Sequence, residues 1–387
     1  MRICFISHSA GRYGAEIALL ELLQGLVKLK VECLVLVPER GPLLAELDRL
    51  NIQSQVINYP VWVGGKSIRR RILRTVKGLV MAVRVAWVIT HWRCDVVYTN
   101  TVCTGTGAFA AWLTRKPHVW HLHESIEHVG LRFDLGILWG MTLLDRLSTF
   151  IIIVSRSLEA DYARYIKQDK MRIIYQSVTI FNEATAAINH EKTVCDLNFD
   201  TQIFRCVMVG SLQPLKRQDE AISALSTLIS RGIDVQLVIV GDGHKYFQAA
   251  LHQKVKDHGL ANRVKFVGYL ENPIQFIRLA DVILMCSRWE AFGRTTIEAM
   301  LMGKPVIGAA NSGGTAELIQ DGVTGLLYET GNYNDLADKI QRLYENPNLK
   351  QKLGASARNW VTGRFTQENY TRDVFDLLSE ILMKKRI

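Results

Sequence analysis

Two carboxylates, Glu290 and Glu298, stand in the stretch Asp281 to Gly331 beside a backbone suited to holding phosphate. The apolar run Val282 to Cys286 reads as a buried parallel strand, and the spacing of Ile297, Met300 and Leu301 predicts a helix from about Gly293 to Met302. Glu290 then occupies the strand-to-helix turn, and Glu298 lies inside the helix. Free N–H groups at Phe292, Gly293, Arg294 and Thr295, aided by the helix dipole, favour a phosphate at that helix start. Acids beside an anion site repel it unless the anion carries hydroxyls on both sides, which carboxylates accept strongly. A nucleoside-diphosphate sugar has that order: hydroxyls, phosphates, hydroxyls.

Other residues join them at predicted strand ends, where ligands of open α/β sheets bind. A first strand, Arg2 to Ser7, leads through Gly11-Arg12-Tyr13-Gly14 into a helix, a turn whose glycines allow close backbone approach to a phosphate. The turn lacks the full G-x-G-x-x-G spacing, so a dinucleotide cofactor is not indicated. The strand from Pro117 ends in His123-Glu124, and its alternation is read as turning His121 away from His123. Glu127 and His128 follow in a loop as candidates for the acceptor side. Ser312-Gly313-Gly314 forms a second glycine turn suited to phosphate or sugar.

The run E-A-F-G-R-T-T-I-E-A-M, with G-K-P-V-I-G and G-G-T-A-E-L-I after it, resembles the retaining glycosyltransferase family 4. That resemblance covers nearly the whole chain and is sharpest from Phe204 to Gly331. It implies an α/β protein of the GT-B class: two Rossmann-like, doubly wound parallel-sheet domains facing a cleft. It further implies that Glu290 contacts the transferred sugar, Glu298 the ribose, and His123 the sugar near its reacting carbon. By the same resemblance the Gly14 turn lies against the donor diphosphate, and Gly243, in Gly241-Asp242-Gly243, belongs to the loops that frame the base. Lys216 matches the lysine that clamps the diphosphate, while Ser211 stands where the family usually has arginine; Arg217 or Arg294 is the candidate second cation. A further departure is Gln176-Ser177-Val178, where members usually have Asn-Gly-Val.

Positioning these groups takes two domains, and 387 residues suffice for both. Residues 1–180 are read as the acceptor-side domain, 181–201 as a polar linker and 202–366 as the nucleotide-sugar domain. The last helix, from residue 367 on, is read as returning to the first domain with Tyr370, Val374, Leu377, Leu378 and Ile381 inward. Hydrophobic content of 48% and charged content of 22% are those of a globular protein. The seven cysteines are scattered singly with no C-x-x-C pair, which argues against a zinc site or a disulfide framework and favours a reducing cytoplasm. No D-x-D sequence occurs, so no metal and no other cofactor is expected beside the donor substrate. No apolar run reaches the ~18 residues needed to span a bilayer.

The net charge of +10 calls for an anionic partner, yet no nucleic-acid-binding module is visible. The segment 67–92 predicts a helix with Ile72, Val76, Leu79, Val83 and Trp87 facing the core and Arg70, Arg74, Lys77 and Arg84 on the opposite, basic face. That face is the candidate for resting on an anionic membrane, which would make the protein peripheral on the inner face of the cytoplasmic membrane. Together these readings point to a retaining transferase that moves a sugar from a UDP- or GDP-linked donor to a hydroxyl of a glycan or lipid-linked acceptor, in cell-surface polysaccharide or glycolipid synthesis. The rival readings are a nucleotide-sugar epimerase of the same architecture and a non-catalytic sugar-nucleotide-binding scaffold.

Overall fold

In the computed structural model, which describes residues 1–64, 67–179 and 203–384, the chain divides into two units: Met1–Ser177 with Phe365–Ile387, and Val178–Arg364. The expected linker at 181–201 lies outside the described residues. In the first unit, seven strands form one parallel sheet: β1 (Arg2–Ser7), β2 (Glu32–Val37), β3 (Gln53–Val56), β4 (Val96–Asn100), β5 (His118–Leu122), β6 (Phe150–Ile153) and β7 (Met171–Ile173), in the order β3-β2-β1-β4-β5-β6-β7. In the second, β8 (Phe204–Val209), β9 (Val235–Val240), β10 (Val264–Gly268), β11 (Val282–Met285), β12 (Val306–Ala309) and β13 (Leu326–Tyr328) run parallel in the order β10-β9-β8-β11-β12-β13. Helices cover both faces of a parallel sheet, so its central strands are buried and largely apolar; every residue of β4, β5, β6, β9, β11 and β12 is buried, the polar Thr99, Asn100, His118, His121 and Gln236 among them.

Strand order reverses direction between β1 and β4 in one unit and between β8 and β11 in the other. Ligands of doubly wound sheets bind at the carboxyl ends of strands beside such a reversal. The ends of β1, β4, β8 and β11 and the turns that follow them are therefore the places where the fold puts chemistry, and Gly14, Asn100, Lys216 and Glu290 lie there.

Helix Gln367–Lys384 buries Tyr370, Val374, Leu377, Leu378 and Ile381 in the core of the first unit, where they meet Leu19, Leu22, Leu23 and Leu26. The helices touch closely: a Cβ on Gly25 would come within 1.9 Å of Thr371 Oγ1.

Helix Ile68–His91 corrects the sequence reading of its faces. Ile72, Val76, Leu79, Val83 and Trp87 point outward, and the residues it buries are Ala82, Val85, Ala86, Val88 and Ile89, packed with Ala110 and Ala111 of helix Thr106–Leu113. The sequence holds two apolar stripes at helical spacing, and the larger one drew the prediction. The stripe that contains Ala82 and Ala86 packs inward, and the stripe with the larger side chains is left outward. Arg70, Lys77 and Arg84 are exposed as expected, whereas Arg74 is half-buried and pairs with Asp134.

Candidate active site

In the second unit, the loops after β8 and β11 bring together two residues 74 positions apart. The β8 loop ends in a single tight turn, Pro214–Lys216, and the Arg288 N–H donates to the Leu215 carbonyl (2.9 Å), which ties this turn to the β11 loop. Lys216 Nζ donates to Glu290 Oε1 at 2.5 Å, and Ser287 Oγ donates to the same oxygen at 2.6 Å. Glu290 is held by its backbone too: its N–H donates to the Ser312 carbonyl (2.9 Å) and its carbonyl accepts from Gly314 N (2.8 Å). Lysine and carboxylate are thus fixed side by side, both largely screened from water.

Two glycine turns make this packing possible. Gly293, at φ +87°, caps helix Arg294–Leu301, and any Cβ there would press on Thr315 Oγ1 at 2.8 Å. Gly313, at φ +67°, and Gly314 lie so close to the Glu290–Phe292 backbone that a Cβ would meet the Glu290 carbonyl at 2.5 Å or the Phe292 backbone at 2.7 Å. Arg294 and Thr295 open the helix, half-buried, and Phe292 is buried behind them. Glu298 sits within the helix, half-buried, as the sequence placed it.

The β8 and β9 loops approach equally closely. Leu212 N donates to the Asp242 carbonyl (2.9 Å), and a Cβ on Gly243 would lie 2.0 Å from the Leu212 carbonyl oxygen. Exposed Ser211 accepts from Gln213 Nε2 at 2.7 Å. Arg217 turns toward acids: its guanidinium lies 3.1 Å from Glu220 and 3.4 Å from Asp219. Arg217, one of the two candidate second cations, is thus already paired with acids.

The first unit assembles its own cluster at the ends of β1, β4 and β5. Asn100 Nδ2 donates to the Ala15 carbonyl (3.0 Å), which orients its Oδ1 toward His123 Nε2 at 2.8 Å. His123 Nε2 therefore carries the hydrogen, and Nδ1 accepts from Gln176 Nε2 at 2.5 Å. Gln176 and Ser177 are the departures noted in the sequence, and each has a side-chain partner: half-buried His123 for Gln176 and buried Glu21 for Ser177, whose Oγ donates to Glu21 Oε2 at 2.7 Å. A carboxylate and an imidazole are satisfied by side chains where Asn-Gly would supply only one.

His121 does not turn away from His123. Residues two apart on a strand line the same face, and the two rings lie 4.1 Å apart. His121 is wholly buried, shares a hydrogen bond between Nδ1 and Tyr98 Oη (2.7 Å) and has its pKa pushed down to about 3 by burial. His118, equally buried on the same strand, is also driven down to about 3.

At the end of β4, Thr101 adopts φ +139°, a conformation that strains a β-branched residue. It is held there by Oγ1 donating to Glu124 Oε1 (2.8 Å) and by Trp120 Nε1 donating to its carbonyl (2.5 Å). Glu16, fully buried in the Gly14 helix, faces His8 Nδ1 at 3.4 Å; burial raises its pKa, and His8 opposes the rise. Among the described residues, His8, Cys103 and Glu124 place ligand-type atoms within 4.8 Å of one another. Glu127 pairs with Arg164 (3.4 Å), and His128 lies 3.5 Å from Asp161. Sequence reasoning missed Asn100, Thr101 and Ser287, and noted Gln176 only as a departure without a partner. Asn100 and Thr101 stand at a strand end beside the order reversal, a signal the topology rule could have used; nothing local marks Ser287.

A family model described as Glycosyltransferase Family 4 matches residues 13–180, and one described as Glycosyl transferases group 1 matches residues 191–360. The N-acetyl-alpha-D-glucosaminyl L-malate synthase of Bacillus anthracis is 30% identical over 176 residues, 46% of this chain and 45% of that protein. A GDP-mannose-dependent alpha-(1-6)-phosphatidylinositol monomannoside mannosyltransferase of Mycobacterium tuberculosis is 32% identical over 182 residues, 44% of this chain and 46% of its own. The matches thus span about half the length of these curated relatives. The crystal structure of Anabaena Alr3699/HepE in complex with UDP-glucose shares the fold, with a TM-score of 0.81 at 24% identity over 98% of this chain and 100% of that one. With two doubly wound sheets of the GT-B type and family matches over residues 13–180 and 191–360, the chain belongs to glycosyltransferase family 4.

Proposed function

We propose that the protein transfers a sugar from a nucleoside-diphosphate donor to an acceptor hydroxyl with the anomeric configuration retained. The observation that carries this reading is the Lys216–Glu290 pair at the strand-order reversal of the second unit, set between two glycine turns. A departing diphosphate gains negative charge as the sugar leaves, and a fixed ammonium beside it lowers that cost. Lys216 supplies the ammonium, and the N–H groups from Phe292 to Thr295 add the positive end of a helix. When phosphate takes Lys216, the Glu290 carboxylate is left to accept sugar hydroxyls and to offset the positive charge that develops at the anomeric carbon. Glu298 is assigned the ribose, and Gly14, Ser211, Arg217, Arg294 and Gly243 the surroundings of the diphosphate and base. His123, with its hydrogen held on Nε2, is assigned a sugar hydroxyl, for which the sugar competes with Asn100.

In this reading the bond from anomeric carbon to phosphate oxygen breaks as the acceptor oxygen bonds to the same face, and the acceptor's proton passes to the departing phosphate. Relatives named for UDP-glucose and GDP-mannose support a donor of either base. The mycobacterial name supports an acceptor that is lipid-linked, alongside a glycan, in polysaccharide or glycolipid synthesis. No metal is assigned a step, and a cytoplasmic location suits the free cysteines found among the described residues.

Replacing Glu290 by alanine should lower kcat by about a hundredfold or more while donor KM changes far less, as expected for an interaction strongest in the transition state. An unchanged kcat would remove Glu290 from its role. Donor incubated without acceptor separates transfer from epimerisation, because only an epimerase would rearrange it.

A further inference from the structure

We propose that the outward face of helix Ile68–His91 docks the protein onto an anionic lipid bilayer, its large apolar stripe entering the interface and its basic flank meeting the headgroups. Ile72, Leu73, Val76, Val80, Val83 and Trp87 lie along one side of the helix and are each 54% to 61% exposed. Successive members are one to four positions apart, the spacing of a continuous helical face. Arg70, Lys77 and Arg84 recur every seventh position and run along one edge of that stripe; the helix contains no acid. This combination of large apolar side chains, a cationic border and no negative charge belongs to helices that lie in the plane of a membrane.

The helix is fixed in the attitude that this requires. Arg71 Nε donates to the Asp134 carbonyl (2.6 Å) and Arg74 pairs with the Asp134 carboxylate, so two of its cations anchor its first turns to the body of the unit. The anchoring segment continues into Leu138 and Trp139, which are 70% and 67% exposed. An apolar cavity lined by Pro60, Trp62, Leu79, Phe109, Phe133 and Leu135 lies beneath the helix. Charge decides between possible occupants. A second copy of the chain would set one basic edge against another, whereas anionic headgroups neutralise it, and the chain's net charge of +10 adds to the attraction.

The test floats the full chain with vesicles of phosphatidylcholine containing phosphatidylglycerol, and with phosphatidylcholine alone, at low and high salt. The protein should rise with the anionic vesicles and be released by salt. The triple variant Val76→Ser, Val80→Ser, Val83→Ser and the triple variant Arg70→Glu, Lys77→Glu, Arg84→Glu should each bind at least about tenfold more weakly. Both keep the wild-type melting temperature, because the altered side chains are exposed. Wild-type protein that stays in solution with anionic vesicles overturns the proposal. So does a serine variant that binds like wild type, or a wild-type dimer that the serine variant splits without loss of vesicle binding. The readout needs neither donor nor turnover, so it stands or falls apart from the transferase reading.

Discussion

Individual residues in this protein are set by partners distant in sequence, and protonation is set with them. Gln176 meets His123 across 53 positions and holds its hydrogen on Nε2. Replacing Gln176 by leucine removes the donor to Nδ1 and releases the tautomer, so kcat should fall several-fold while the melting temperature changes little; a rate equal to wild type would show that the tautomer is irrelevant. His118 and His121 make a separate prediction. Burial lowers both from 6.5 to about 3, so the unfolded chain takes up protons that the folded one refuses. Stability from this source is complete above pH 6.5 and is lost as pH falls toward 3, at up to about 1.4 kcal/mol per pH unit for each histidine. The raised carboxyl pKa values of Glu16 and Glu220 act in the opposite direction, so the comparison must be internal. In urea unfolding between pH 7 and about 5, His118→Gln and His121→Gln should each flatten the pH slope by up to about one proton relative to wild type. Parallel slopes would mean that these rings are not held neutral.

Elements were more legible than their faces. The strand, glycine turn and helix around Glu290 could be read from the sequence because period, turn residues and helix start agree over a short span. The attitude of helix Ile68–His91 could not, because two stripes fit a helical period and the choice depends on the space left by helix Thr106–Leu113, which no local pattern encodes. His121 was misplaced through alternation itself, since a two-residue step preserves the face. Lys216 and Glu290 were each recognisable by motif, but their direct contact follows from β8 and β11 being neighbours, a property of strand order. The final helix offers the clearest test at this scale. Gly25 of helix Gly14–Lys28 has no room for a methyl group beside Thr371. Gly25→Ala should therefore cost about 1–3 kcal/mol in spite of alanine's better helix propensity, and Thr371→Gly should restore part of it in the double variant. If thermal melts show Gly25→Ala to be stabilising, the two helices do not pack as closely as described.

On the scale of the whole molecule, two units with separate cores divide the work, and the chain enters the second after Ser177 and leaves it before Phe365. The residues proposed to bind the diphosphate most directly, Lys216 and the Phe292 to Thr295 turn, belong to the second unit alone. A ligand that binds the folded state stabilises it by an amount set by its concentration over its Kd. A nucleoside-diphosphate sugar at a hundredfold its Kd should thus add about 2.7 kcal/mol, seen in calorimetry as a rise in the transition that includes the second unit. A panel of UDP- and GDP-sugars read in this way names the donor without knowledge of the acceptor. Lys216→Ala should abolish most of the rise, because the diphosphate loses its fixed ammonium while the fold loses only one partner of a single ion pair. Repeating the scan with EDTA tests the expectation that no metal takes part: the shift should persist unchanged, and a shift that appears only with added divalent cation would move the neutralising charge from lysine to metal. If none of the sugar nucleotides moves any transition, the Lys216–Glu290 pair is an ion pair that holds two loops together, and the site for the donor must be sought elsewhere in the chain.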